Sequence, residues 1–230
     1  MRLRRNGDNA CTRLGRSPVT TSRLATLLAR LMDVVLIGPI AAGKSTLGNL
    51  VSAAVGLPHC SIDEVRFGYY NEIGYDESLA THLYQSEGFW GLYKYWKPFE
   101  AHAVERVLED HRNSVIDLGA GHSVYEDATL FVRVKRALAS CRHVVLILPS
   151  RNLSTSLNVL RERRPSLRAI DPDINEHFIM HPSNYELATL TVYTEGRLPA
   201  DTCAEIVERI QSSAGASPTP HAPQADDRCT

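Results

Sequence analysis

The hydrophobic pattern changes character near residue 33. Residues 1–22 are rich in Arg, Ser and Thr and carry no apolar period, which predicts disorder. Residues 23–31 place Leu24, Leu27, Leu28 and Leu31 on one helical face. From Asp33 onward, short apolar runs alternate with helical spacing. Val34–Ile37 is apolar throughout, as a strand buried on both faces of a parallel sheet has to be. Pro58–Ile62, Ser114–Leu118, Val144–Leu148 and Thr189–Tyr193 read as four further strands. Helical spacing occupies 44–55, 98–111, 123–139, 152–163 and 200–212. This alternation predicts a three-layer α/β/α fold, a parallel sheet with helices on both faces. The Pro-, Ala- and Ser-rich residues 213–230 read as a loose tail, so the expected domain is 32–212.

Composition changes this picture mainly at the ends. The chain has 230 residues and a net charge of −1, but residues 1–31 hold seven arginines and one acid. That segment is +6, which leaves −7 on the remainder. An Arg-rich, acid-poor, amphipathic start fits an organelle transit peptide. It equally fits a translated upstream extension, because Met32 stands directly before the first strand. No run approaches the ~20 apolar residues of a membrane span. The five cysteines are scattered and form no CxxC pair, which argues against a zinc module or disulfide framework and for the cytoplasm.

Gly38-Pro-Ile-Ala41-Ala42-Gly43-Lys44-Ser45 fits GxxxxGK[ST] between a strand and a helix, the context a phosphate-binding P-loop requires. Its glycines let the backbone N–H groups of Gly38, Ala41, Ala42 and Gly43 curl around phosphate oxygens, and the helix N-terminus adds partial positive charge. Lys44 is expected to bridge the β- and γ-phosphates, Ser45 to ligate Mg²⁺, and Thr46 to reach the α-phosphate. The ligand read from these residues is ATP with Mg²⁺.

Transfer of the γ-phosphate requires a group that orients the acceptor, a pocket for it and cations over the phosphoryl group. Asp63 and Arg66, in Ser61-Ile-Asp63-Glu-Val-Arg66, follow strand two on the ligand-binding rim. Asp63 is the candidate to orient or deprotonate a hydroxyl, and Arg66 to hold an anionic group. Eleven of the sixteen aromatic residues fall between Phe67 and Phe99, Trp96 among them. Such a segment (about 64–100) suits a ring-shaped acceptor. Asp117 ends strand three as a candidate Mg²⁺ carboxylate, followed by Gly119-Ala120-Gly121, where backbone can approach a ligand closely. Arg161, Arg163 and Arg164 open a polar stretch, 164–182, with the character of a lid. His122 reads as a loop hydrogen-bonder.

Together these residues resemble the shikimate kinase family of small P-loop kinases, with the nucleoside-monophosphate-kinase fold, over about 33–211. The opening strand, loop and helix are similar, as are Leu118-Gly-Ala-Gly121 to the family's acceptor loop and Arg164-Pro165 to the start of its lid. Glu195-Gly-Arg197-Leu-Pro199 resembles its adenine-contact loop. The resemblance implies strand order 2-3-1-4-5, Arg164 on the transferring phosphate and Arg197 on adenine. It also implies an acceptor contact at Lys97, where the family has an arginine, and a second family arginine falling near His181. The family's Asp-x-Asp after strand two is here Ser61-Ile-Asp63. The departures all lie on the acceptor side, which leaves room for an acceptor other than shikimate.

The reading is an ATP-dependent kinase of a small hydroxylated molecule, monomeric and not membrane-bound. A nucleotide switch or regulatory ATPase is the alternative without an acceptor. Ser-x-Asp-x-x-Arg also resembles polynucleotide-kinase-like and antibiotic phosphotransferase groups. A nucleic-acid acceptor is disfavoured by the net charge of the core.

Overall fold

The computed structural model describes residues 33–170 and 172–214. The expected N-terminal segment 1–31 and the tail beyond Ala214 lie outside the described residues. Five parallel strands form one sheet: β1 Val34–Ile37, β2 His59–Ser61, β3 Val115–Asp117, β4 His143–Leu148 and β5 Leu190–Tyr193. Their order is β2-β3-β1-β4-β5. In register, Leu36 pairs with Asp117, and Asp117 with Ser61, so the carboxyl ends of the first three strands finish level.

Strand periodicity sorts the core into two layers. Val35 and Ile37 face one side with Tyr70, Val104, Val107, Val134 and Leu138. Val34 and Leu36 face the other with Leu47, Val51, Leu160, Ile206 and Ile210. The first layer is covered by α2 Ile62–Glu72, α3 Glu77–Asp110 and α4 Ala128–Leu138. The second is covered by α1 Lys44–Val55, α5 Leu153–Arg163 and α8 Pro199–Ala214. A third, smaller cluster sits over the carboxyl edge of the sheet. It joins Ile40 of the phosphate loop to Phe89, Trp90 and Tyr93 of α3, Ala120, Leu167 and Phe178.

The largest departure from the sequence pattern is helical. Spacing predicts a helix only from 98, because Pro98 looks like a first-turn proline. Instead α3 starts at Glu77, where Asp76 caps it by accepting from the Ser78 and Leu79 amides, and it runs through Pro98. It is bent at Gly88, whose φ of 71° no helix contains. Gly88 therefore divides α3 into two segments, and the second holds Pro98 between the buried Tyr93 and Phe99. The polar stretch after α5 is also more ordered than its composition suggests: it forms a 3₁₀ turn at Pro165–Ala169, then α6 Ile174–Met180 and α7 Pro182–Leu187.

Candidate active site

The phosphate loop closes tightly over β4. A Cβ on Gly38 would overlap the Ile147 carbonyl, and Gly38 and Gly43 adopt φ of 137° and 99°, so both positions need glycine. Ala41 is held left-handed at φ 65°, a strain of about 1–2 kcal/mol for an L-residue. Its carbonyl accepts from Arg163 at 3.1 Å. The loop is clamped from above by Asn175 of α6. The Asn175 carboxamide accepts from the Ile40 amide at 2.9 Å and donates to the Ile40 carbonyl at 3.3 Å. Helix α1 has no side-chain cap at Gly43, so its first-turn amides are left for an anion.

Lys44 folds back along the loop, donating to the Gly38 and Pro39 carbonyls at 2.9 Å each. Burial lowers its pKa to about 8 against the opposing pull of Asp63 and Asp117. Its charge is therefore desolvated and ready for phosphate oxygens. These residues line a cavity of about 320 Å³ with Ile40, Ala41, Gly43, Ser45, Thr46, Asp63, Asp117, Ala120 and Arg164.

Asp117 is 1% exposed and fully engaged. Oδ1 accepts from Ser61 Oγ at 3.0 Å and from Ser45 Oγ at 3.3 Å, while Oδ2 lies 2.8 Å from His59 Nε2. Hydroxyl and carboxylate oxygens beside a phosphate loop are the hard donors that Mg²⁺ takes, with phosphates and water completing its shell. No cluster of three or more His, Cys, Asp or Glu competes with this site among the described residues. Where the resembled family has its first acid, this chain has Ser61; the carboxylate stands instead on Asp117, the register partner of Ser61.

A second cavity, of about 260 Å³, lies behind the loop and is lined by Ala42, Leu47, Arg163, Thr194, Arg197 and Thr202 among others. The hydroxyls of Thr194 and Thr202 are buried there without a protein partner. Orphaned hydroxyls in a mostly apolar slot are suited to the polar edge of a nucleotide base. Arg197 is anchored to the Tyr193 and Asp201 carbonyls and to Glu205.

Across the first cavity, Asp63 pairs with Arg66 at 3.4 Å. The Arg66 guanidinium lies 4.9 Å from the Phe67 ring centre and 5.3 Å from that of Trp96. The Gly119 backbone passes close beneath: an added Cβ would come within 2.8 Å of Asp63 Oδ1 and 2.7 Å of His122 Nδ1. His122 is buried and bonded to Tyr70 at 3.2 Å, and burial lowers its pKa to about 3, so it is neutral.

Three residues, Lys97, Gly121 and Arg161, are engaged elsewhere than the sequence suggests, and Trp96 stands behind Arg66. Lys97 does not line the cavity. It is buried, donates to the Gly121 and Val124 carbonyls at 2.9 and 3.1 Å, pairs with Glu100 and lies 3.9 Å from the Tyr93 ring centre. Its ammonium is thus spent on the loop after β3. Gly121 faces this pair rather than a ligand, since a Cβ there would overlap the Glu100 carboxylate. Trp96 lies under the Arg66 guanidinium and donates to the Tyr75 hydroxyl at 3.4 Å. Arg161 ties α5 to α6 through Asp173 at 2.8 Å; its neighbour Arg163 is the one at the loop. Sequence reasoning missed His59, Ser61, Asn175, Thr194 and Thr202. Of these only Ser61 carried a local signal, as the strand residue two before Asp63.

The shikimate kinase family model matches residues 40–211. The chain belongs to the shikimate kinase family. A shikimate kinase of Bacillus licheniformis is 27% identical over 182 residues, 78% of this chain and 93% of that protein. One from Streptomyces coelicolor is 25% identical, covering 77% of this chain and 95% of that one. The structure of the Acinetobacter baumannii shikimate kinase in complex with shikimate superposes with a TM-score of 0.56 at 19% identity, over 82% of this chain and 98% of that one. At that identity the likeness carries the fold. The sheet order 2-3-1-4-5 expected of the family is the order observed. The chain is accordingly a P-loop phosphotransferase that acts on a hydroxyl group, with ATP as the phosphate donor of the family.

Proposed function

We propose that this family member transfers the γ-phosphate of Mg²⁺-bound ATP to one hydroxyl of a ring-shaped acceptor carrying a single anionic group. The observation that carries the proposal is the Asp63–Arg66 pair: Arg66 stands on aromatic rings, and Asp63 lines one cavity with Lys44, Arg164 and the phosphate loop. In this reading Gly43, Lys44, Ser45 and Thr46 bind the phosphates. Thr194, Thr202, Arg163 and Arg197 receive the base and its sugar. Asp63 orients the acceptor hydroxyl and takes up its proton, and Arg66 holds the anionic group. Arg164 and Lys44 balance charge on the transferring phosphoryl group. Bound Mg²⁺ supplies further charge neutralisation on the β- and γ-phosphates, and Ser45 and Asp117 are the residues that hold it. In this reading the enzyme is a monomer, and the cavity's lining comes from one chain. The cysteine pattern favours the cytoplasm; among the described residues no helix is long and apolar enough to cross a membrane.

Shikimate heads the acceptors to test, because the relatives carry its name. Other cyclic hydroxy acids, sugars, nucleosides, aminoglycosides and 5′-hydroxyl oligonucleotides follow, because Lys97 is withdrawn from the cavity. A coupled ADP-release screen decides the matter. One acceptor should raise ADP release well above the acceptor-free rate, and Asp63→Asn should then cut kcat about 10²–10⁴-fold with ATP affinity nearly intact. ADP release indifferent to every acceptor would favour the nucleotide-switch reading instead.

A further inference from the structure

His59 opens β2, and it touches the metal-side carboxylate from behind. Its Nε2 lies 2.8 Å from Asp117 Oδ2, on the opposite oxygen from the one that receives Ser61 and Ser45. The ring is mostly enclosed, 16% exposed, and its place is reserved by α1. Gly48 sits in the middle of that helix, where glycine is otherwise unfavourable, and a Cβ on it would overlap the His59 ring at Nε2. The helix therefore gives up a side chain at the one point where the imidazole must pass to reach Asp117.

From this geometry we infer that His59 is a positioning residue: it donates Nε2–H to Oδ2 of Asp117 and so keeps Oδ1 turned toward Ser45 and the metal. With Ser61 on Oδ1 and His59 on Oδ2, the carboxylate plane is fixed from both oxygens. The long 3.3 Å contact from Ser45 is then the one a metal ion displaces, while the 2.8 Å contact from His59 stays. Without that anchor, only the Ser61 hydroxyl opposes the pull of Lys44, whose charge Asp117 already attracts, and the carboxylate can turn about Oδ1. A carboxylate turned that way would be lost to the metal. Outer-shell donors of this kind orient metal ligands, and their loss typically costs about 10–100-fold in metal affinity or activity.

The inference rests on the proposed role of Asp117 in holding the metal, and the test separates the two. Mn²⁺ binding to the enzyme·ADP complex is followed by electron paramagnetic resonance, beside metal-free ADP affinity and thermal melting. Asp117→Asn and His59→Phe should each weaken Mn²⁺ binding about 10–100-fold, with metal-free ADP affinity unchanged. His59→Gln, whose Nε2 can reach the same oxygen, should stay within about threefold of the parent. Gly48→Ala touches neither metal nor phosphate, yet it should reproduce His59→Phe by displacing the ring. In a His59→Ser background the same methyl should cost nothing further, because the space is free. If Asp117→Asn weakens Mn²⁺ while His59→Phe and Gly48→Ala do not, the positioning role is wrong and the metal role stands. If Asp117→Asn has no effect, the metal role itself fails. If His59→Gln is as weak as His59→Phe, the imidazole acts by something other than its Nε2–H donor, and the inference falls.

Discussion

In the proposed reading the phosphate-binding groups come from one unbroken stretch, Gly38–Thr46, whereas the acceptor side is gathered from α2, α3 and the loop after β3. On the donor side, binding groups are backbone amides and a lysine whose positions follow from a strand, a tight turn and a helix. On the acceptor side, the surroundings depend on partners distant in sequence: Arg66 on Trp96, Gly119 on Asp63, and the loop after β3 on Lys97. The difference is one of contact range. Local geometry survives in a motif, while a pocket assembled from afar can keep its residue types and still reassign what each one does.

Substitutions can sharpen or break this contrast. The largest effect is expected from Lys44→Ala, which should cut phosphoryl transfer by at least about 10²–10³-fold in the coupled assay with any acceptor. A mild loss would mean that the loop is not the donor site. Next comes Lys97→Met, which strands the buried Glu100 charge and should cost about 3–5 kcal/mol. That should lower the melting temperature by roughly 10 °C. Lys97→Met with Glu100→Leu should recover most of it. A raised acceptor KM with unchanged melting would return Lys97 to the binding site and erase the contrast.

Arg66→Lys should be smaller still: acceptor KM up about tenfold, ATP KM unchanged, because an ammonium cannot reproduce the stacked, forked contact. The smallest effect is a fraction of a proton. Lys44 is depressed by burial to about 8, so above that pH the free enzyme has largely lost the charge that phosphates restore. ATP binding at a pH above that value should therefore take up protons, measured by calorimetry in buffers of different ionisation enthalpy. Near neutral pH the uptake should vanish, since Lys44 is already protonated there. The same sign applies to the unliganded fold. A lysine depressed below its unfolded value costs stability below its folded pKa, and the cost fades as pH rises toward 10.5.

All five strands were legible because a parallel sheet buried on both faces writes itself as short apolar runs; their order came from the family resemblance and not from the pattern. Asp63 and Asp117 were legible for a related reason: they end or follow strands, where α/β sheets place ligands. The aromatic segment was visible as composition but not as structure. Gly88 is a true break, where two helical segments meet at a kink, while Pro98 lies inside the second segment despite its missing N–H. Lys97 was misread because spacing along a helix gives a residue's position but not which partners claim its charge. His59 left no trace, since its significance lies in Gly48 making room and Asp117 lying across two strands.

The buried Lys97–Glu100 pair also bears on how this pocket can change. Either residue alone is costly to replace, whereas the two exchanged together for apolar side chains can be close to neutral. Single-step mutation therefore meets a barrier at position 97 that it does not meet at Arg66, where the guanidinium is partly open to solvent. New acceptor preferences should arise by altering the rim around Arg66. The floor beneath it is fixed by a pair that can be exchanged only as a unit.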